Sequence, residues 1–297
     1  MSGGHDPNGA ARGAAAGGRR ESAGRRRGHT RASARGLSAG RLRSAGSMLL
    51  ALAILVLFLG AWELYVDLGA VDRLILPAPH DVARALAEDR GLLWSNLRVT
   101  AGEVLLGALL AAVAGFACAI ALHPWVTLRH ATYPLLIATQ AVPILVIAPL
   151  LVVWLGFGIA PKLVIVGLVS FFPIVVATLD ALGRTDPDLT KLLATLDASR
   201  LRTLRHVELP SALPGLFTGA KLAAVFAVIG AVFAEWSGSS SGLGHLIQQA
   251  TPQLLTARAY AAVVLLSLFA IALFGLLTLA ERLALPWTRN PPGGPDR

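Results

Sequence analysis

Long apolar runs constrain this chain more than any other feature. A helix needs about 20 predominantly apolar residues to cross the hydrocarbon core of a bilayer. Six stretches meet or approach that length: residues 47–68, 99–122, 133–155, 163–182, 216–236 and 260–283. Of the 297 residues, 55% are apolar and only 14% are charged, against about 25% charged residues in a soluble domain. The sequence therefore predicts an all-α, polytopic membrane protein with six transmembrane helices.

The third apolar run differs from the others because Pro134, Pro143 and Pro149 interrupt it. Membrane helices tolerate proline where neighbouring groups satisfy the freed backbone. We expect a kinked helix packed among the other spans. The alternative is a pair of short buried segments.

The basic residues are concentrated in an N-terminal tail. Residues 1–46 contain ten arginines, but only Asp6 and Glu21 as acidic residues and almost no large apolar side chains. Such a segment cannot bury enough surface to offset its ordering entropy, so we expect it to be disordered. Contact with anionic membrane lipid or a role in fixing topology explains the arginines. Nucleic-acid binding is disfavoured because no aromatic residues are interleaved with them.

The distribution of Lys and Arg predicts the orientation of the spans. With the N-terminus in the cytoplasm, twenty of the 26 basic residues fall on the inner side and six on the outer side. Both termini are therefore expected in the cytoplasm, with a permease domain over residues 47–287 and a short C-terminal tail over 288–297. Residues 70–98 and 237–258 become outer segments, the first with an amphipathic helix and the second with a Gly/Ser turn before a short apolar segment.

The segment after the fourth span, residues 185–216, is cytoplasmic in this topology. Thr185 or Asp186 is placed to cap a helix, with Pro187 in its first turn. Four leucines follow at spacings of i, i+3, i+4 and i+7 and form one apolar stripe: Leu189, Leu192, Leu193 and Leu196. This stripe must be buried against the lipid surface, the rest of the chain or a partner protein.

The same segment resembles a signature of binding-protein-dependent ABC importer permeases. That signature reads Glu-Ala-Ala, three residues, Gly, nine residues and Ile-x-Leu-Pro. Here Lys191 to Leu193 occupy its first three positions, Asp197 occupies the glycine position, and Val207 to Pro210 complete it. Further stretches, LILPAPHDV, APLLVVWLGFGIAPK, SFFPIVV and AEWSGSSSGLGHLI, look like the nitrate/sulfonate/taurine branch, and the resemblance covers roughly residues 48–287.

This resemblance implies a type I importer permease that works as a homodimer, with two separate ATP-hydrolysing subunits and one solute-binding protein. A cytoplasmic coupling segment over 185–212 docks in a cleft of the ATPase subunit and moves with it. The docking residues implied are Leu189, Lys191, Leu192, Leu193, Leu196, Asp197, Ala198, Leu209 and Pro210. The text around 171–193 and 227–247 looks most similar to permeases for the pyrimidine precursor of thiamine.

Two residues depart from the signature. Asp197 replaces a glycine at the bend between two helices, where a left-handed backbone is expected, and Asp is among the few residues that tolerate it. Lys191 replaces a glutamate, so charge pairing with the ATPase subunit is altered or reversed.

A few polar and aromatic residues in the spans are candidates for the translocation path, because intramembrane polar groups are functional candidates by default. Glu103 can line the path or pair with a neighbouring helix. Gln140, Phe171 and Trp236 can line it or serve as packing residues. Asp180 and Glu235 lie near span ends, where exposure at the membrane interface explains their charge.

The chain carries no recognisable catalytic constellation. Its three lysines follow Pro161, Thr190 and Ala220, so it has no Gly-Lys-Ser/Thr of a P-loop, and ATP must be used by a partner subunit. It has no HExxH and no Cys/His cluster of metal-ligand spacing. We therefore expect a permease that is not an enzyme and binds no cofactor or metal. A stand-alone secondary transporter or channel is the alternative, although no internal repeat supports it.

Overall fold

The computed structural model describes residues 49–289, and the tail over residues 1–46 lies outside the described residues. All regular elements in this range are helical, which confirms the predicted fold class. The chain divides into two units, residues 1–61 and 62–297. Helix α1 (Leu49–Asp67) begins in the first unit and ends in the second.

The helices after α1 follow one another with short connections. They are α2 (Pro79–Glu88), α3 (Arg90–Leu122), α4 (Val126–Ala141), α5 (Ile144–Leu155), α6 (Ile159–Gly183), α7 (Pro187–Thr195), α8 (Arg200–Thr203), α9 (Leu209–Trp236), α10 (Leu243–Ala250) and α11 (Thr256–Ala284). A π-helix, Leu204–Glu208, joins α8 to α9, and a 3₁₀-helix, Pro286–Arg289, follows α11.

Within residues 49–289, five helices are long and apolar enough to cross a membrane, and a sixth span results if α4 and α5 are counted as one. The third predicted span is not a kinked helix. Its two helices meet at 90°, with Val142 extended before Pro143. Because a proline disfavours the α conformation of the residue before it, the helix ends at this point. Within this chain, Leu136 of α4 and Ala148 and Leu151 of α5 are buried, and most other residues of the two helices are exposed.

The core of the second unit is formed where α6 packs against α3 and α9. In the most apolar 18-residue stretch of α6, 50% of the residues are buried, against 11% in the corresponding stretch of α11. Small residues permit the close approach of these helices. A Cβ on Gly219 would lie 2.7 Å from the carbonyl oxygen of Pro173, and a Cβ on Gly107 would lie 2.6 Å from Cβ of Val166. The faces turned away from this core remain apolar and unburied, as expected for surfaces that contact lipid or another subunit.

Two spans extend further than the apolar runs predict. Helix α3 begins at Arg90, nine residues before the predicted start of the second span. Residues Arg200–Trp236 form one helical run of 37 residues through α8, the π-helix and α9. The π-helix Leu204–Glu208 within this run has a wider turn than an α-helix. Pro210 is the local cause, because it has no N–H and its ring crowds the preceding turn. The amide of Leu209 bonds instead to the carbonyl of Leu204, five residues back.

Candidate functional site

Helix α7 begins as its sequence predicts. Asp186 is the N-cap residue, and its carboxylate accepts a hydrogen bond of 2.8 Å from the amide of Asp188. Pro187 occupies the first turn, where its missing N–H has no intrahelical partner to lose. The start of this helix is therefore specified by neighbouring residues and does not depend on distant contacts.

The apolar stripe of α7 is not covered by the rest of the chain. Leu189, Leu192 and Leu196 are 46%, 56% and 67% exposed, and Leu193 is half-buried. No residue of α7 is buried. An amphipathic helix normally buries its apolar stripe in the protein to which it belongs. Of the three surfaces considered above, the rest of the chain is thus excluded over the described residues.

The bend after α7 has the backbone that the signature predicts. Asp197 has φ 51°, in the left-handed region, and Leu196 is the C-cap residue. The amide of Ala198 bonds to the carbonyl of Leu193 at 3.0 Å, and that of Asp197 bonds to Ala194 at 3.2 Å. These two bonds form a Schellman motif, which usually places glycine where Asp197 lies. The chain therefore retains the turn without the glycine.

Lys191 lies on the exposed surface of α7. Its ammonium is 3.3 Å from the carboxylate of Asp188, and both side chains are highly exposed. An exposed pair at i, i+3 contributes at most a few tenths of a kcal/mol. The lysine is therefore accessible to a partner.

The return segment connects the bend to the spans. Ala198, Leu209 and Pro210 are half-buried. Glu208 lies 3.3 Å from the ring of His123, at the turn between α3 and α4. A cavity of about 690 Å³ is lined by that turn, by Thr190 and Ala194 of α7 and by the segment after α7. Residues 185–212 are thus held by their C-terminal part, while the leucine stripe of α7 stays uncovered.

A second site of interest lies where α3 and α9 meet the N-terminus of α10. A helix leaves its first N–H groups without intrahelical partners. In α10 they are bonded by distant side chains: the amide of Gly242 to Asn96 at 2.7 Å, that of Leu243 to Thr100 at 2.8 Å, and those of Gly244 and His245 to Glu235 at 2.5 and 3.3 Å. The hydroxyl of Thr100 donates to Glu235 at 2.6 Å.

The burial of Glu235 differs from the prediction. We expected exposure at the membrane interface, but its side chain is 0% exposed. It lies beneath the backbone of 242–245, and a Cβ added to Gly242, which has φ 116°, would collide with its carboxylate. The negative charge lies at the positive end of the α10 dipole and accepts three hydrogen bonds, which compensate for its burial.

Glu103 lies beside this cap and is 3% exposed. The Lys162 ammonium donates to its carboxylate at 2.6 Å and to the hydroxyl of Ser239 at 2.7 Å. Glu103 is therefore paired with a neighbouring helix, one of the two roles considered for it. We refer to Asn96, Thr100, Glu103, Lys162, Glu235 and Ser239 as the polar cluster.

The other path candidates are Trp236, Phe171 and Gln140. Trp236 adjoins the polar cluster, because its indole N–H donates to the carbonyl of Gly244 at 2.9 Å. Phe171 is half-buried between α3 and α6 and lines a groove of about 360 Å³ with Leu110 and Gly167. Gln140 is exposed near the end of α4. The structure therefore brings together Glu103 and Trp236, but not all four residues.

Most of the polar cluster was missed by sequence reasoning. Asn96, Thr100 and Glu103 are spaced at i, i+4 and i+7, so they share one face of α3. That polar stripe at the start of a mainly apolar helix was the available signal. The participation of Lys162 and Ser239 had no such signal, because their partners are 59 and 77 residues away.

A group of ionisable side chains on another part of the second unit has the spacing of metal ligands. Atoms of Glu63, Asp67 and His80 lie within 4.8 Å of one another. Each already has a partner of opposite charge or a hydrogen-bonding carboxylate. His80 contacts Glu63 and Asp81, and Asp67 pairs with Arg73 at 2.9 Å. Ion pairing accounts for the arrangement.

These features define the class of protein: a helical membrane-transport subunit with an uncovered helix outside its spans. Residues 106–286 match the family described as binding-protein-dependent transport system inner membrane component, and this chain belongs to that family. It is a multi-pass permease subunit of an ABC importer and not an enzyme. Permeases of this family work with ATPase and binding-protein partners.

Individual relatives agree with this assignment. A probable ABC transporter permease protein of Haemophilus influenzae is 36% identical over 223 residues, which are 75% of this chain and 91% of the relative. The formylaminopyrimidine transport permease protein ThiX of Halalkalibacterium halodurans is 32% identical and covers 73% and 87%. A chain of a solved amino acid ABC transporter matches with a TM-score of 0.53, 15% identity and coverage of 66% and 96%, which supports the fold alone.

Proposed function

We propose that α7 is the coupling helix through which this permease contacts its ATPase subunit. The uncovered leucine stripe carries the proposal, since an apolar surface of this kind needs a partner. The implied docking residues Leu189, Leu192 and Leu196 are all exposed on it. The left-handed bend at Asp197 and the half-buried return through Leu209 and Pro210 support α7 as a helix that projects from the spans.

The working unit we propose is a homodimer of this chain with two ATPase subunits and one solute-binding protein. Two copies present two α7 helices, one for each ATPase subunit. The excess of Lys and Arg supports the cytoplasm as the side of α7 and of both termini. The binding protein then meets the opposite side, which carries α2 and α10.

The proposed translocation path includes surfaces near Gln140, Phe171 and Trp236. Gln140 is an exposed polar side chain in an apolar helix pair, and Phe171 lines the groove between α3 and α6. Glu103 is the path candidate with the weakest access, because it is buried and paired with Lys162. Its contribution to the path is therefore expected to be indirect.

For the transported solute we propose a small heteroaromatic compound of the pyrimidine thiamine-precursor class. The relative named as a formylaminopyrimidine transport permease supports this class. Nitrate, sulfonates and taurine are the competing solutes. Uptake of a labelled formylaminopyrimidine into cells that express the whole importer, with competition by unlabelled taurine, separates them: competition by taurine contradicts the proposal.

The docking proposal is tested by partner retention in detergent. Leu192→Asp introduces a charge in the middle of the stripe, and Ala194→Asp introduces the same charge at an exposed position on the other face of α7. We expect Leu192→Asp and deletion of residues 189–196 to remove the ATPase subunit from a pull-down and to abolish ATP-driven uptake. Ala194→Asp retains both, and all three variants insert normally into the membrane.

Two results contradict this proposal. Normal retention of the ATPase subunit by Leu192→Asp and by the deletion variant places the docking surface elsewhere. Uptake by the purified chain alone in proteoliposomes without ATP indicates a stand-alone secondary transporter.

A further inference from the structure

The polar cluster contains more negative than positive charge. Two carboxylates, Glu103 and Glu235, lie beside a single ammonium, Lys162, and all three residues are buried. The remaining members, Asn96, Thr100 and Ser239, are uncharged. If every ionisable side chain carries its usual charge, the cluster has one net negative charge in apolar surroundings, which is strongly unfavourable.

The two carboxylates are neighbours. Glu103 follows Thr100 by one turn on the same face of α3, and Thr100 donates to Glu235. Glu235 therefore lies beside the turn of α3 that carries Glu103. Two adjacent carboxylates cannot both remain ionised at little cost, and such pairs commonly share a proton.

One carboxyl oxygen of the pair has no donor. Oε1 of Glu103 accepts from Lys162, Oε1 of Glu235 accepts from Thr100, and Oε2 of Glu235 accepts from the amides of Gly244 and His245. Oε2 of Glu103 is buried, and no described residue donates to it. A buried oxygen without a partner is rare and calls for an explanation.

We propose that the polar cluster binds one proton, carried on Oε2 of Glu103 and donated to the carboxylate of Glu235. The proton comes from a hydronium ion in the surrounding water: one O–H bond of that ion breaks and leaves a water molecule, one O–H bond forms on Glu103, and the charge of the cluster changes from minus one to zero. The proton also supplies the missing hydrogen bond. Thus one ligand resolves the charge imbalance and the unpartnered oxygen together.

The bound proton joins α3 to α9 beneath the N-terminus of α10. The charged and titratable side chains that face it are Glu103 from α3, Lys162 from α6 and Glu235 from α9, while α10 contributes backbone amides. Loss of the proton leaves two carboxylates in repulsion at this junction. Loss of the proton is therefore expected to weaken the junction that holds the cap of α10.

Infrared difference spectroscopy of the purified full-length chain, in a detergent that has no carbonyl group, tests the proposal. A protonated carboxylic acid has a C=O band, distinct from the carboxylate bands, that shifts on exchange into D₂O. We expect this band at neutral pH in the unmodified chain, and its loss in both Glu103→Gln and Glu235→Gln. Glu281→Gln is the control, since Glu281 forms an ion pair with Lys221 at 2.8 Å; it leaves the band unchanged.

A stability comparison at position 103 supplies a second measurement. Gln is close in shape to a protonated Glu and can accept from Lys162 and donate to Glu235. We expect Glu103→Gln to keep the melting temperature of the unmodified chain and Glu103→Leu to lower it. Two results overturn the proposal: absence of the carboxylic-acid band from the unmodified chain, or survival of the band in either Gln variant. The first result needs no variant, so it applies even if a variant fails to fold.

Discussion

Two short helices outside the spans, α7 and α10, are nearly equal in length but differ in how they are held. Helix α7 has nine residues and none is buried, whereas α10 has eight and buries Leu243, Gly244, Leu246 and Ala250. The N-terminus of α7 is capped by the adjacent Asp186. That of α10 is capped by Asn96 and Thr100 of α3 and by Glu235 of α9.

Helix α7 thus presents an apolar stripe that its own chain leaves uncovered, whereas α10 packs within its own subunit. Local capping allows α7 to remain helical while its apolar stripe is uncovered. Distant capping makes α10 depend on the packing of α3 and α9. Substitutions in α10 and its caps should therefore act on the stability of the chain, and those in α7 on its association.

The largest effect is expected from Glu235→Ala. The change removes the acceptor for the Thr100 hydroxyl and for the amides of Gly244 and His245, and each buried donor left without a partner costs about 1–3 kcal/mol. We expect the free energy of unfolding to fall by about 3 kcal/mol or more, measured by thermal or denaturant unfolding in detergent. Glu281→Ala, at the half-buried pair with Lys221, should cost less. Equal losses in both variants contradict the special role of the cap.

An intermediate effect is expected from Asp197→Pro. Proline fixes φ near −65°, whereas Asp197 has φ 51°, so the bend after α7 cannot form without rearrangement. We expect ATP-driven uptake and retention of the ATPase subunit to be lost with normal membrane insertion. Asp197→Gly, which suits a left-handed backbone, should retain both and stabilise the bend by less than about 1 kcal/mol. Normal uptake by Asp197→Pro contradicts the coupling assignment.

The smallest effect on stability is expected from Lys191→Glu, which restores the residue of the signature. The new charge lies near Asp188 on an exposed surface, and like charges at this spacing cost a few tenths of a kcal/mol. We expect an unfolding midpoint within error of the unmodified chain, together with altered affinity for the ATPase subunit that weakens at high salt. Unchanged affinity at low salt indicates that Lys191 lies outside the contact.

Features encoded by neighbouring residues were predictable from the sequence. The apolar runs predicted the spans, and Asp186 and Pro187 predicted the start of α7. The position of Asp197 in the signature predicted the left-handed bend. The 90° turn between α4 and α5 was not predictable from Pro143 alone, because proline ends a helix without fixing the direction of the next one. The burial of Glu235 depends on residues about 135 positions away and could not be read from its place near a span end.

The run Arg200–Trp236 has a mechanical consequence that follows from its length. At 1.5 Å per residue, 37 residues form a rod of about 55 Å, longer than the apolar core of a bilayer. Its N-terminal end adjoins the bend at Asp197, and its C-terminal end contains Glu235. If α7 docks as proposed, the run acts as a lever, and a tilt imposed at the end near Asp197 is expected to become a sideways displacement of Glu235, the carboxylate that caps α10. The π-helix Leu204–Glu208 and Pro214 within α9 interrupt the regular α-helical hydrogen bonding along the run.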